Sequence, residues 1–383
     1  MAQHFLHRAS TRDFSIFDAT DLSGAKAVAF LAQIRWGADN TQICPTCGVV
    51  DSHYFRENRC QWRCRSCDAY FSITSGTIFQ DRKVPLRTII TAVFLYANSA
   101  NGLAAVELAR TVRVNVKTAF VLLSKIREVL VRNANLTPLS GAVQIDGAHF
   151  CAKPRKPNRR RKITAAEVSE RLSAHKAKRG SQPPKVRMSK RSAERLKNRR
   201  VILVAREISP NTGDGATRSI VGVAFHENEA AGMGFAKRVV APGATVWTDE
   251  NAAYNKLSTL CQHETVNHSM EFVSDDGVND NQCESFNSRM RRAEYGVFHG
   301  FRPKYLADYL WEFAWRDDNR RTSLRTRLIM LLNLALNSGR SQWWRGYWQG
   351  VHRDGELLFR LGHRQLFLAP DDPLARARTS FPR

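Results

Sequence analysis

Acidic residues are scarce in this sequence. Asp and Glu number 35 against 59 Lys and Arg, which leaves a formal net charge of +24 and a pI near 10.2. Such an excess favours a polyanionic partner, nucleic acid first and an anionic membrane surface second. Long apolar runs are missing as well. No stretch approaches the roughly 18 residues of a membrane span, so a membrane protein is not expected. RLIMLLNLALN, residues 327–337, is too short to cross and reads as a core or partner-facing helix. The opening MAQHFLHRASTRDFS lacks the apolar block of a secretory signal. The expected compartment is the reducing cytoplasm, at the nucleoid in a bacterium. The eight cysteines are then metal ligands or free thiols rather than disulfides. A hydrophobic fraction of 43% over 383 residues provides for two or three globular domains.

Residues 1–40 hold one helix candidate, DLSGAKAVAFLAQIRW, capped by Asp21 or Ser23. A Cys-x-x-Cys pair follows, and after 16 intervening residues a second one. Cys44, Cys47, Cys64 and Cys67 therefore have the spacing of a four-cysteine zinc ribbon, two hairpin knuckles presenting thiolates to one tetrahedral Zn2+. The ribbon is expected over 41–80. Cys60 is a spare thiol that could stand in for Cys64, although knuckle geometry favours Cys64.

Residues 83–133 read as helices. Leu86, Ile89, Ile90, Val93 and Phe94 recur at helical spacing. GLAAVELARTVRVNVKTAFVLLSKIR then gives helix, short turn, helix, with Asn115 or Thr118 opening the second. This is the pattern of a helix-turn-helix, and Lys117, Lys125 and Arg127 along the second helix are its expected DNA contacts. A helical hairpin that only packs is the plainer alternative.

Between 153 and 200 there are 19 Lys or Arg against 3 acids. Arg159, Arg160, Arg161 and Lys162 form the densest cluster, suited to phosphate contact without sequence reading. This basic insertion interrupts a region of 140–320 that alternates strands and helices. In QIDGAHF an apolar strand ends on Asp146, and in TVWTDENAAY another ends on Asp249. A buried charge is costly unless it is paired or holds a metal. A later helix, 279–296, places Asn281, Glu284, Ser288 and Arg291 on one face and Cys283, Phe286, Met290 and Ala293 on the other. Two strand carboxylates and one helix carboxylate suit one or two Mg2+ or Mn2+ ions in phosphoryl transfer.

The ordered set CPTCG, RCRSC, FSITSGTIF, QIDGAHF, WTDENAAY and NDNQCESFNSRMRRAEYGVFHGF resembles the DDE-type insertion-sequence transposases with an N-terminal zinc ribbon, over roughly residues 40–320. The resemblance implies an α/β, multidomain chain: zinc ribbon and helix-turn-helix, then a ribonuclease-H-like mixed sheet flanked by helices. It implies Asp146, Asp249 and Glu284 as the catalytic triad. Asn281 would take the third position used by some relatives, or a supporting contact, and His299 matches a histidine near the site. His149 reads as solvent-facing and His268 as sheet-bound. Arg291 would contact DNA. The expected partner is double-stranded DNA, element ends and target, held by a homodimer or larger assembly. A DNA-binding protein with an inactive nuclease-like domain, a metal-dependent nuclease and an RNA binder are the alternatives. The insertion and the aromatic tail SQWWRGYWQG within 321–383 carry no transferable role; a packing patch is the simpler reading of the tail.

Overall fold

Two separate apolar clusters organise the chain, one helical and one built on a sheet. The computed structural model describes residues 9–37, 41–50, 53–151, 197–211, 213–266 and 281–359, with four positions between 166 and 173. The core of the basic insertion, including Arg159–Lys162, lies outside the described residues, as does His268.

The first cluster begins with helices α1 (Ile16–Asp21) and α2 (Gly24–Trp36). The single helix expected here is two, because Ser15 starts an earlier one with a capping box to Asp18. Strands β1 (His53–Arg56), β2 (Gln61–Cys64) and β3 (Tyr70–Ser72) form an antiparallel ribbon in that order. Alternation puts Phe55, Trp62 and Phe71 on one face, where their rings meet; Trp62 and Phe71 are buried there and Phe55 stays partly open to solvent. Arg35 ties α2 to the ribbon by donating to the carbonyls of Ile73 and Ser75 at 2.7 and 2.9 Å.

Helices α3 (Leu86–Asn98), α4 (Ala105–Thr111) and α5 (Val116–Arg132) follow. The α4–α5 turn runs through Arg113 at a left-handed φ of 53°. Asn115 opens α5, its side chain accepting from the Lys117 N–H at 2.8 Å.

The second cluster holds β4 (Ala142–Cys151), β5 (Arg199–Ile208), β6 (Ala216–Ala224), α6 (Glu229–Val239), β7 (Thr245–Asp249) and β8 (Gln262–Val266). Their sheet has the order β6-β5-β4-β7-β8. The first three strands pair antiparallel, and β4–β7 and β7–β8 pair parallel. The run Val201–Ala205 is wholly buried, as a strand covered on both faces requires. Helices α7 (Asn281–Gly296) and α8 (Leu306–Asp318) cover the sheet. Cys283, Phe286, Met290 and Ala293 are the buried side of α7, as its periodicity predicts. This is the mixed α/β sheet with flanking helices, behind a ribbon, that a ribonuclease-H-like chain requires.

Helix α9 (Leu324–Asn337) returns to the first cluster and buries Leu324, Leu328, Leu331 and Leu332 there. The expected C-terminal tail is thus part of the N-terminal core. Beyond it Trp344 is buried edge-on to Phe120 of α5. Among the described residues no helix is long and apolar enough to cross a membrane.

The two halves are joined by charge. Arg127, expected to contact DNA, is instead 3% exposed and donates through Nε to Glu312 Oε2 of α8 at 2.6 Å. Glu312 also accepts from Arg316 at 2.7 and 3.0 Å, and Arg127 stacks over Tyr309. Burial pushes the Glu312 carboxyl up, but the two guanidinium groups outweigh it and hold it below its ordinary value. Its contribution to stability is therefore complete above the ordinary glutamate range and is lost as the pH falls through the lowered value. Glu312→Ala leaves two buried guanidinium groups uncompensated. The expected cost is about 3–5 kcal/mol in urea unfolding; a loss below about 1 kcal/mol would contradict the clamp.

Candidate active site and metal centre

The carboxylates are placed by strand register. In the parallel pair, Gln144 lies opposite Trp247. Two residues further on each strand come Asp146 and Asp249, so alternation puts both on one face of the sheet. The same face carries α7: the Gln144 side chain accepts from the Gln282 N–H at 3.0 Å, and Cys283 Sγ donates to the Gln144 carbonyl at 3.4 Å. Asp146 does not end its strand, as the sequence suggests, because β4 continues antiparallel to β5 as far as Cys151. What stops near Asp146 is the parallel pairing, last seen at Gln144–Trp247, while β7 itself ends on Asp249. Room for a polar group opens where the neighbour strand leaves.

Asp146 and Glu284 line one cavity of about 760 Å3 with Asn287, Ser288, Arg291 and Tyr295. Asn287, one turn after Glu284 on α7, donates from Nδ2 to Asp146 Oδ2 at 2.6 Å. Its own Oδ1 is buried without a hydrogen-bond partner. Asn281 opens α7 and His299 sits exposed in the following turn at a φ of 54°; neither is among the residues lining this cavity. Nor is Asp249, whose Oδ1 accepts from the Asn251 N–H at 3.1 Å.

A fourth carboxylate went unread in the sequence. Glu227 follows β6, and its side chain is 7% exposed. It accepts from the Tyr254 hydroxyl at 3.3 Å and lies 3.4 Å from His149 Nε2. Burial, then the charge of Asp249, raises its pKa. His149 is exposed, as the sequence suggests, although partial burial and the charges of Arg199 and Arg291 hold its pKa below the ordinary value. Gly147 makes room for this group, since a Cβ there would overlap the Glu227 carboxylate and come within 3.1 Å of the Tyr254 hydroxyl. Only the adjacent Asp-Gly step hinted at it.

The donor set of Asp146, Asp249 and Glu284, with the unpartnered Asn287 oxygen nearby, is all oxygen and fits a hard divalent cation. Among the described residues, however, the oxygens of the three carboxylates do not all lie within 4.8 Å of one another. The four ribbon cysteines do. Cys44 and Cys67 sulfurs lie 3.7 Å apart and those of Cys47 and Cys64 3.6 Å. Four sulfurs at about 2.3 Å from a shared Zn2+ would stand about 3.8 Å apart, so the quartet fits a tetrahedral site. Burial raises the Cys44 thiol, but the N–H groups of Cys47 and Thr46 outweigh it and bring it to about 6. Cys60 points its thiol at the Glu57 carbonyl and lies outside the quartet.

Of the expected DNA contacts, Arg291 lines the Asp146 cavity. Lys117 is exposed at the start of α5, its ammonium 4.4 Å from the Trp348 ring. Lys125 is half-buried, and burial lowers its pKa.

Residues 138–318 match the ISXO2-like transposase domain, and residues 22–69 match the transposase zinc-ribbon domain. These two domains, in this order, place the chain among the insertion-sequence transposases. Over 129 residues it is 30% identical to an uncharacterized protein in transposable element ISH50 of Halobacterium salinarum. That alignment spans 33% of this chain and 42% of the relative.

The quartet generates a direct expectation. Elemental analysis of purified protein should find one zinc per chain, retained in Cys60→Ser and lost in Cys64→Ser. Zinc lost from Cys60→Ser instead would overturn the ligand assignment.

Proposed function

We propose that this chain binds the terminal repeats of its insertion sequence and catalyses metal-dependent DNA cleavage and strand transfer, as a DDE-type transposase. The observation that carries the reading is the shared sheet face of Asp146 and Asp249, with Glu284 brought over it by α7. Those three residues would hold Mg2+ or Mn2+, two ions in the fullest form. Bound there, the cations supply charge neutralisation at the scissile phosphate and an activated oxygen nucleophile.

The chain's own groups do the positioning. Asn287 fixes one Asp146 oxygen and with it the orientation of the carboxylate. Arg291, in the same cavity, takes a phosphate oxygen of the DNA strand. Asn281 and His299, at the two ends of α7, have supporting contacts to the strand. The ribbon holds the element end. Joining two ends to one target requires at least a dimer on DNA.

The open spacing of the three carboxylates favours one second reading, a DNA-binding protein whose nuclease-like domain is inactive. One assay separates the two. Purified protein, a labelled duplex carrying the element's own end, and Mg2+ should yield a joined product. Glu284→Gln and Asp146→Ala should lose that product, by at least about a hundredfold for a group that acts at the reacting centre, and still bind the end. Tight binding with no cut strand in Mg2+ or Mn2+ would establish the second reading. Cleavage without joining would make the protein a nuclease.

A further inference from the structure

The helix expected to read DNA has little surface left to do so. Along α5, residues 119–131 are buried except for the half-buried Phe120 and Lys125. Its exposed N-terminal turn is capped by aromatic rings from the segment after α9, with Lys117 over Tyr347 and Trp348. A DNA-binding chain with its basic helix so enclosed needs its phosphate contacts elsewhere.

The ribbon supplies a surface. Its register places Tyr54 opposite Arg63 and Arg63 opposite Tyr70, and Arg56 opposite Gln61 and Gln61 opposite Ser72. Since Phe55, Trp62 and Phe71 take the inner face, these six take the outer one. None is a carboxylate. Two tyrosines stand 55% and 49% exposed on it. Each carries a guanidinium: Arg65 lies 4.2 Å over the Tyr54 ring, and Arg56 lies 5.1 Å over that of Tyr70. Stacking holds a guanidinium flat and leaves its N–H edge pointing outward, at reduced entropic cost for capturing a phosphate oxygen. Asp68 reaches this face and is paired with Arg63 at 2.9 Å.

The face runs into a polar cavity of about 450 Å3 that shares Gln61, Tyr70 and Ser72 and adds Arg59, Arg82 and Arg340. Asp81 is the carboxylate in its wall. Arg82 donates to the Val84 carbonyl at 2.7 Å, yet its Nε is buried with no partner.

We propose that the outer face of the zinc ribbon, with Arg56 and Arg65 stacked on Tyr70 and Tyr54, is the docking surface for the phosphate backbone of double-stranded DNA, continued by the Arg59–Arg82–Arg340 cavity. The charge of the face matches a polyanion, and its exposed rings offer stacking or sugar contact that a bare basic patch lacks. This rests on the transposase reading above and deepens it.

The test is the salt dependence of binding to a labelled duplex carrying the element's end, read by fluorescence anisotropy between about 50 and 200 mM salt. Each lost phosphate contact flattens the logarithmic salt slope by about 0.9. Arg56→Gln/Arg65→Gln should flatten it by about 2 and weaken binding at least tenfold. Tyr54→Ala/Tyr70→Ala should weaken binding with a nearly unchanged slope. Lys237→Gln/Lys256→Gln, which removes the same charge from the sheet region, should change neither. Retained zinc reports an intact ribbon in every variant. An arginine variant that holds zinc and binds with the wild-type slope and affinity overturns the proposal. So does a variant effect confined to single-stranded RNA, or one confined to self-association of the protein. A wild type that binds no duplex overturns this proposal and the transposase reading together; normal arginine effects with no strand transfer sink only the transposase reading.

Discussion

The parallel pairing of β4 with β7 is the constraint on which the site depends. Register is strongly specified where one face of a sheet is buried, because a slip of one residue would turn Val143 and Ile145 out of the core and the polar residues into it. With Val143 held against Val246, Asp146 and Asp249 have no choice of face. The apolar stripe of α7 then decides the rest. Burying Cys283, Phe286 and Met290 against the sheet turns Glu284, Asn287 and Arg291 toward Asp146. An arrangement of this kind is a by-product of packing rules, with the polar residues placed where packing leaves gaps.

The same economy joins the halves of the molecule. Helix α5 belongs to the N-terminal core, α8 to the sheet, and Arg127 and Arg316 meet on Glu312 between them. Arg206, also buried, pairs with Asp317 of α8, and Arg289 of α7 joins the same carboxylate at 2.6 Å. Ion pairs buried this deeply are weak sources of net stability but punish a wrong arrangement severely. They hold α7 and α8 in one orientation on the sheet, which is what a site built from two strands and a helix needs.

Some of this could be read from the sequence and some could not, for physical reasons. The four zinc ligands were readable because metal geometry imposes a spacing on the chain itself. The buried face of α7 was readable because a helix repeats every 3.6 residues. Arg127 was misread: a basic residue on an amphipathic helix looks solvent-facing, and its partner Glu312 lies 185 residues away. The strand end assigned to Asp146 was displaced because an antiparallel neighbour, β5, extends β4 past the point where the parallel one leaves. Asn287 had no signal, since an amide one turn along a helix follows no spacing rule, and for Glu227 the glycine after Asp146 was the one hint. The aromatic run 341–350 gave its composition but not its target, and it packs on α5 through Trp344.

The central claim is that one sheet face and one helix gather Asp146, Asp249 and Glu284 around a shared divalent cation. Fe2+ in ascorbate and peroxide cuts a polypeptide beside the ion it replaces, so mapping the fragments tests the claim directly. The account predicts cuts near 146, 249 and 284, all suppressed by excess Mg2+. Cuts at one of these positions alone, or cuts elsewhere that Mg2+ does not suppress, would contradict it.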